Sequence, residues 1–174
     1  DGIVLAGWST EGWGSCIVAG PWVQVRSRAL GGCEAERLNA RAREGGLDDR
    51  GRAAGHDIRQ PLPLADVSID ASYSYMLFCM AFATDELERL VGELRRVLRP
   101  GGLVVYTART TADAHYGAGI PRGDNMYEHG GFIVHFFDRP LIDRLAAGFE
   151  LLDVTEFIEG DLPRRLARVT MRVS

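Results

Sequence analysis

Apolar and polar positions in this chain follow two periods, and the points where the period changes outline its elements. Leu87, Leu90, Val91, Leu94, Val97 and Leu98 recur at three- and four-residue spacing, the stripe of a helix that packs one face on a sheet or another helix. Thr84 stands before them as a cap, with Asp85 and Glu86 placed to favour the helix dipole. Pro100 ends the helix and Gly101-Gly102 supply positive φ for a reversal. The run "LVVYT" (Leu103–Thr107) then reads as an interior parallel strand covered on both faces. Upstream, "DVSIDASYSY" alternates as a strand does, with Val67, Ile69 and Ala71 on one side. Further upstream, "EAERLNARARE" (Glu34–Glu44) is rich in helix formers and stops at Gly45-Gly46. Downstream, a helix begins near Asp138 with Pro140 in its first turn, and "FELLDVTEF" and "RLARVTMRV" read as strands close enough to pair antiparallel. Strands alternating with helices, closed by such a pair, predict a mostly parallel α/β sheet.

Two stretches lack a clear period. Residues 1–33 hold all three tryptophans and few charges, and predict only short strands near Gly2–Ala6 and Trp22–Val25. Residues Arg109–Gly131 form a glycine- and histidine-containing stretch, long for a loop and of the kind that is usually functional or partly helical.

Composition narrows the classes. At 174 residues the chain suits one domain with a real core. A net charge of −4 without a basic cluster gives no expectation of a nucleic-acid partner. All 20 basic residues are arginine, so chemistry that needs a lysine is excluded. Cys16, Cys33 and Cys79 form no CxxC pair, which argues against a disulfide framework or zinc site and fits a reducing cytoplasm. The longest apolar stretch, Tyr73–Ala83, falls short of the ~20 residues a membrane span needs. The chain opens at Asp1 without a signal pattern, and the native start is expected upstream.

Three segments carry a resemblance: "HDIRQPLPLADVSIDASYSYMLFCM", "LERLVGELRRVLRPGGLVVYT" and "GFIVHFFDRPLIDRLAAGFELLDVTEFIEGDLPRRLARVTMRV". In order and spacing they resemble the second half of a class I S-adenosylmethionine-dependent methyltransferase, of the type 11 kind. The likeness runs from Asp57 onward, about two-thirds of the chain. It implies a single domain over 1–174, atypical in 1–33 and family-like in 34–174. The implied fold is a Rossmann-like α/β sheet, mostly parallel, with an antiparallel C-terminal hairpin and helices on both faces. The implied cofactor is S-adenosylmethionine and the implied partner a small-molecule methyl acceptor, with no membrane or nucleic acid. Oligomeric state stays open, a homodimer included.

The resemblance also assigns roles. Asp57 matches the position that hydrogen-bonds the adenine amino group, with Ile58 against the ring; the plain alternative for Asp57 is an exposed turn carboxylate. Tyr73 and Ser74 fall at the sheet edge that faces the donor, while Tyr75 to Phe78 read equally as core. His115 and His129 are candidate general bases, and Tyr116, Tyr127 and His135 candidate acceptor contacts. His135, inside "VHFF", reads also as a core histidine. Arg95, Arg96 and Arg99 read as a solvated helix end. The family's glycine-rich loop should fall in "VLAGWSTEGWG", where Gly7 and Gly12 would cradle the methionine half of the donor. Trp8 and Trp13 stand where the backbone must come close, and near Gly31 no acidic residue is placed for the ribose. Loss of cofactor binding, a divergent loop and a replacement of the original residues are all compatible with this. A catalytically inactive binding or scaffold module therefore stands beside the enzyme reading. A dinucleotide oxidoreductase would need a GxGxxG turn, which is absent.

Overall fold

The structure is a computed structural model that describes residues 4–10, 13–19, 24–27, 40, 43–46, 56–160 and 164–174. Its main sheet contains β1 (Val4–Thr10), β2 (Trp13–Ala19), β3 (Gln24–Ser27), β4 (Ile69–Tyr75), β5 (Leu98–Arg109), β9 (Phe149–Glu159) and β10 (Arg164–Val173). A second sheet holds β6 (Ile120–Gly123), β7 (Met126–His129) and β8 (Phe132–His135); the helices are α1 (Thr84–Val97) and α2 (Arg139–Leu145). The main sheet runs β3-β2-β1-β4-β5-β10-β9. β4 lies parallel between β1 and β5, and the other four pairings are antiparallel. Among the described residues parallel pairing is thus confined to the centre, a narrower extent than the element pattern predicts. The reason is the first third: in place of the two expected short strands, β1, β2 and β3 return on one another as antiparallel neighbours. Of the helix expected over 34–44, Ala40, Arg43 and Glu44 are helical, and the rest lies outside the described residues.

One core joins sheet and helices. Val104, Tyr106, Ala108, Ala167, Val169 and Met171 are buried on one sheet face with Leu87, Leu94, Leu141 and Leu145 of α1 and α2. On the other face Leu103 is 36% exposed, so β5 is not sealed on both sides as the apolar run suggested.

Local details at α1 differ from expectation in instructive ways. The N-cap is Ala83, and Thr84 is the first helical residue. Ala83 has no side-chain oxygen, so the end is held by Glu86, whose carboxylate accepts the Ala83 N–H at 2.9 Å. Ala83→Ser restores the missing cap and should add about 1 kcal/mol, read as a Tm higher by about 2–4 °C; an unchanged Tm would mean that Glu86 already supplies all the end needs. The helix stops at Val97, three residues before Pro100. The arginines at that end are not simply solvated. Arg96 donates to the Leu62 and Leu64 carbonyls and pairs with Glu93 and Asp66, and Arg99 lies 2.6 Å from Asp70. Glu93 in turn accepts the Leu62 N–H at 2.8 Å, which straps the segment after Asp57 to α1.

The long stretch after β5 is built of turns and short strands, not helix. Asp124 and Asn125 have φ of 48° and 55°, and Gly130 and Gly131 of 59° and 83°, so two-residue turns with paired positive φ fold it into a meander.

Candidate functional site at the carboxyl end of the parallel strands

Open α/β sheets bind ligands beyond the carboxyl ends of their parallel strands. Here those ends are Thr10, Tyr75 and Arg109, and beyond the last two the chain gathers its buried charge and most of its aromatic edges. β4 leads into Met76, at φ 58°, whose N–H donates to the carbonyl and hydroxyl oxygens of Thr107. Tyr75 donates to Glu159 at the end of β9, and burial with that carboxylate pushes its hydroxyl up to about 12.

At the end of β5 sits Asp113, whose side chain is fully buried. It accepts from Arg109 Nη2 at 2.6 Å and Nε at 3.2 Å, and from the backbone N–H groups of His115 and Arg165 at 2.9 Å each. Burial pushes this carboxyl up, but the Arg109 guanidinium and the two N–H donors outweigh it, holding Asp113 below the ordinary aspartate range. The Arg109 guanidinium also lies 5.2 Å over the Phe136 ring. Around it, Tyr116, Tyr127 and Phe136 meet edge to face at 5.3–6.2 Å, and the Tyr116 hydroxyl donates to Asn125 Oδ1. The His115 and His129 rings are 6.1 Å apart. A cleft of about 430 Å³ opens beside this cluster, lined by Thr110, Thr111, Asp138 and Glu156 among others.

The structure thus brings His115, His129, Tyr116 and Tyr127 to one place. His135 is set apart. It is 1% exposed, its Nδ1 lies 2.8 Å from the Phe82 carbonyl, and burial pushes its pKa down. It is a satisfied neutral core histidine, as "VHFF" allowed, and solvent does not reach it to make an acceptor contact. Ser74 is buried and faces Tyr106 across the β4–β5 pairing, and both hydroxyls lack a hydrogen-bond partner among the described residues. Tyr73 points to the opposite face and is 42% exposed. Ile58 belongs to the core, while Asp57 Oδ1 accepts the Arg59 N–H at 3.1 Å, a local turn that fixes the carboxylate.

Gly7 lies inside β1, opposite Ser74 and Cys16, and Gly12 falls outside the described residues. A donor with a methionine-like end needs free N–H groups there, as a loop entering a helix supplies. Instead β1 pairs with β2 up to Thr10↔Trp13, which spends those groups on strand pairing. Along β1 and β2 those groups are taken, while the loop between the two strands, residues 11 and 12, lies outside the described residues.

Two signals in the sequence pointed to what was missed. Asp-Asn and Gly-Gly between short apolar runs are hairpin signals. For Arg109 and Asp113 no local pattern exists.

The fold is that of a methyltransferase-type domain. The sequence profile of the methyltransferase domain family matches residues 12–106, more than half of the chain, and the chain belongs to that family. The match ends at Tyr106, before the Arg109–Asp113–His115 cluster. Among solved structures, a SAM-dependent methyltransferase from Methanosarcina mazei is similar, with 16% identity, a TM-score of 0.67 and coverage of 83% of this chain and 79% of that one. The [4+2]-cyclase SpnF is similar with 19% identity, a TM-score of 0.65 and coverage of 86% and 65%. Geranyl diphosphate C-methyltransferase from Streptomyces coelicolor, solved with Mg2+, geranyl-S-thiolodiphosphate and S-adenosyl-L-homocysteine, gives 15%, 0.61, and 86% and 60%. The chain thus spans less than two-thirds of the last two. At these identities the likeness is one of fold, that of class I SAM-dependent methyltransferases. No curated protein matches the chain in sequence. No described helix is long and apolar enough to cross a membrane.

Proposed function

We propose that the chain transfers a methyl group from S-adenosylmethionine to an oxygen, nitrogen or carbon of a small cytoplasmic molecule. The acceptor would sit against His115, His129, Tyr116 and Tyr127. The observation that supports this most is the gathering of those four side chains as two ring pairs, His115–His129 and Tyr116–Tyr127, with His115 against the Arg109–Asp113 pair, at the sheet edge where this fold takes ligands. The bound donor would supply an activated methyl group. Of the chain's own groups, Asp57 would hold its adenine, and the aromatic edges would orient the acceptor and exclude water. Methyl transfer can run on such positioning alone, and His129 would take an acceptor proton where one must leave.

The β1–β2 hairpin favours a second reading, a cofactor-free binding or scaffold module on the same fold. Isothermal calorimetry with S-adenosylmethionine and S-adenosylhomocysteine separates the two. Enzyme function requires saturable heat with both, weakened by Asp57→Ala in step with the loss of a charged hydrogen bond, roughly tenfold or more. Folded protein that gives no heat with either leaves only the binding module.

A further inference from the structure

From the hydrogen-bond bookkeeping around Asp113 we infer that His115 is held as a neutral Nε2–H donor, a binding group for an oxyanion on the acceptor, and is not the base of the site. The inference takes from the proposed function only that this cluster faces a small molecule.

A carboxylate offers about four lone-pair sites. On Asp113 they are filled, two on each oxygen: Oδ1 by Arg109 Nη2 and the His115 N–H, Oδ2 by Arg109 Nε and the Arg165 N–H. His115 Nδ1 lies 3.2 Å from Oδ1, but it would be a third donor on that oxygen. It lies closer, at 2.8 Å, to Arg109 Nη2. A guanidinium nitrogen only donates, and Nη2 has two hydrogens, so one serves Asp113 and the other must meet a lone pair on His115 Nδ1. With Nδ1 accepting, the ring proton is on Nε2. A proton on Nδ1 as well would aim N–H at N–H and put the imidazolium charge against the guanidinium.

An aspartate beside a histidine ordinarily fixes the opposite tautomer, with Nδ1–H toward the carboxylate and Nε2 free to accept. Arg109, inserted between the two, reverses it. His115 has a side chain 39% exposed, so its Nε2–H can reach a ligand. What an N–H donor on a neutral ring recognises is an acceptor oxygen, and best an ionised one, such as a carboxylate or phenolate. Tyr116 and Tyr127 beside it suit a flat ring bearing that group. His129 is then the remaining imidazole of the cluster that can act as base.

Long-range 1H–15N correlation on the 15N-labelled full chain tests this, with His115→Gln identifying the His115 signals. Nδ1 should show a pyridine-type shift and Nε2 a pyrrole-type shift. The reverse pattern, or pyrrole-type shifts on both, overturns the inference. Arg109→Met empties two lone-pair sites on Asp113 and should move the ring proton to Nδ1. A folded Arg109→Met protein with the wild-type pattern removes Arg109 from the account; if that variant does not fold, the wild-type spectrum decides alone. Benzoate serves as the oxyanion probe. It should shift the His115 ring protons, and His115→Gln, which keeps an N–H donor, should bind it within a few-fold of wild type. His115→Ala should lose roughly tenfold or more. No benzoate response at His115 overturns the oxyanion role even if the donor binds, and failure of donor binding leaves the tautomer result standing.

Discussion

Asp113→Ala is expected to lower Tm at pH 7 by on the order of 10 °C. The side chain is fully buried and Arg109 beside it is 12% exposed, so removing the carboxylate strands a guanidinium charge with almost no access to water. It also orphans the backbone N–H groups of His115 and Arg165, which tie the turn after β5 to the start of β10. Breaking a buried pair by deleting one partner costs about 3–5 kcal/mol, and in a chain of this size each kcal/mol moves Tm by about 2–4 °C. The sign with pH follows from the same contacts. The folded carboxyl titrates below its unfolded value of ~3.9, so its contribution is complete above that value and is lost as pH falls through the lower folded one. The variant should therefore differ most from wild type at neutral pH and converge on it in acid. Differential scanning calorimetry from pH 7 to pH 3 reads both; a Tm within 2 °C of wild type at pH 7 would show that water replaces the carboxylate without cost. Asp113→Asn should fall between, since its amide keeps one oxygen but turns an N–H₂ toward existing donors.

The contacts of Asp113 also show what a linear reading can reach. The α1 stripe and the closing β9–β10 hairpin are local patterns, legible because the burial of a residue is written in its neighbours a few positions away. The alternation expected for β4 is met only in part, since Val67 lies exposed before the strand and an irregularity after Ile69 leaves Ser72 and Ser74 as the buried residues beyond it. Asp113 is buried by a different route. Its donors come from four residues before it, two after it, and Arg165, 52 positions further on. Nothing in "RTTADAH" distinguishes it from a solvated turn. The histidines and tyrosines of the site were legible as residue types in a stretch without period, but the meander that assembles them was not, because positive-φ turn pairs rather than periodicity specify it. His135 shows the converse: its apolar flanks gave its place in the core directly. In the first third β1, β2 and β3 pair with their sequence neighbours and only β1–β4 is a distant pairing, but a charge-poor stretch with tryptophans holds no period that would have fixed either.

The Pro-Gly-Gly segment in the first part of β5, just past α1, shows the same limit at finer scale, and it carries the second large effect: Gly102→Ala should destabilise more than Gly101→Ala. Composition makes the two glycines equivalent suppliers of positive φ, but only Gly101 has it, at 78°. A methyl group on Gly101 meets open space, so Ala there bears only the left-handed backbone cost of about 1–2 kcal/mol. At Gly102 the requirement is room. A Cβ would stand 2.8 Å from the Arg99 carbonyl oxygen, 3.0 Å from that of Asp70 and 3.1 Å from a Leu98 methyl. Two of these are backbone atoms and cannot swing aside, so β4 and β5 must part, at about 2–3 kcal/mol or more for overpacking of this kind. This close approach sets the parallel register that places Ala71 opposite Leu103 and, further along, Tyr75 opposite Thr107. Strain at Gly102 should accordingly travel to the site. The amide of Met76, held by Thr107, should shift and exchange faster with solvent in Gly102→Ala and stay near wild type in Gly101→Ala. Thermal melts and amide exchange of the two variants, compared side by side, decide it; equal losses of Tm would mean that the joint needs flexibility at both positions and that β4 and β5 are not held together at Gly102.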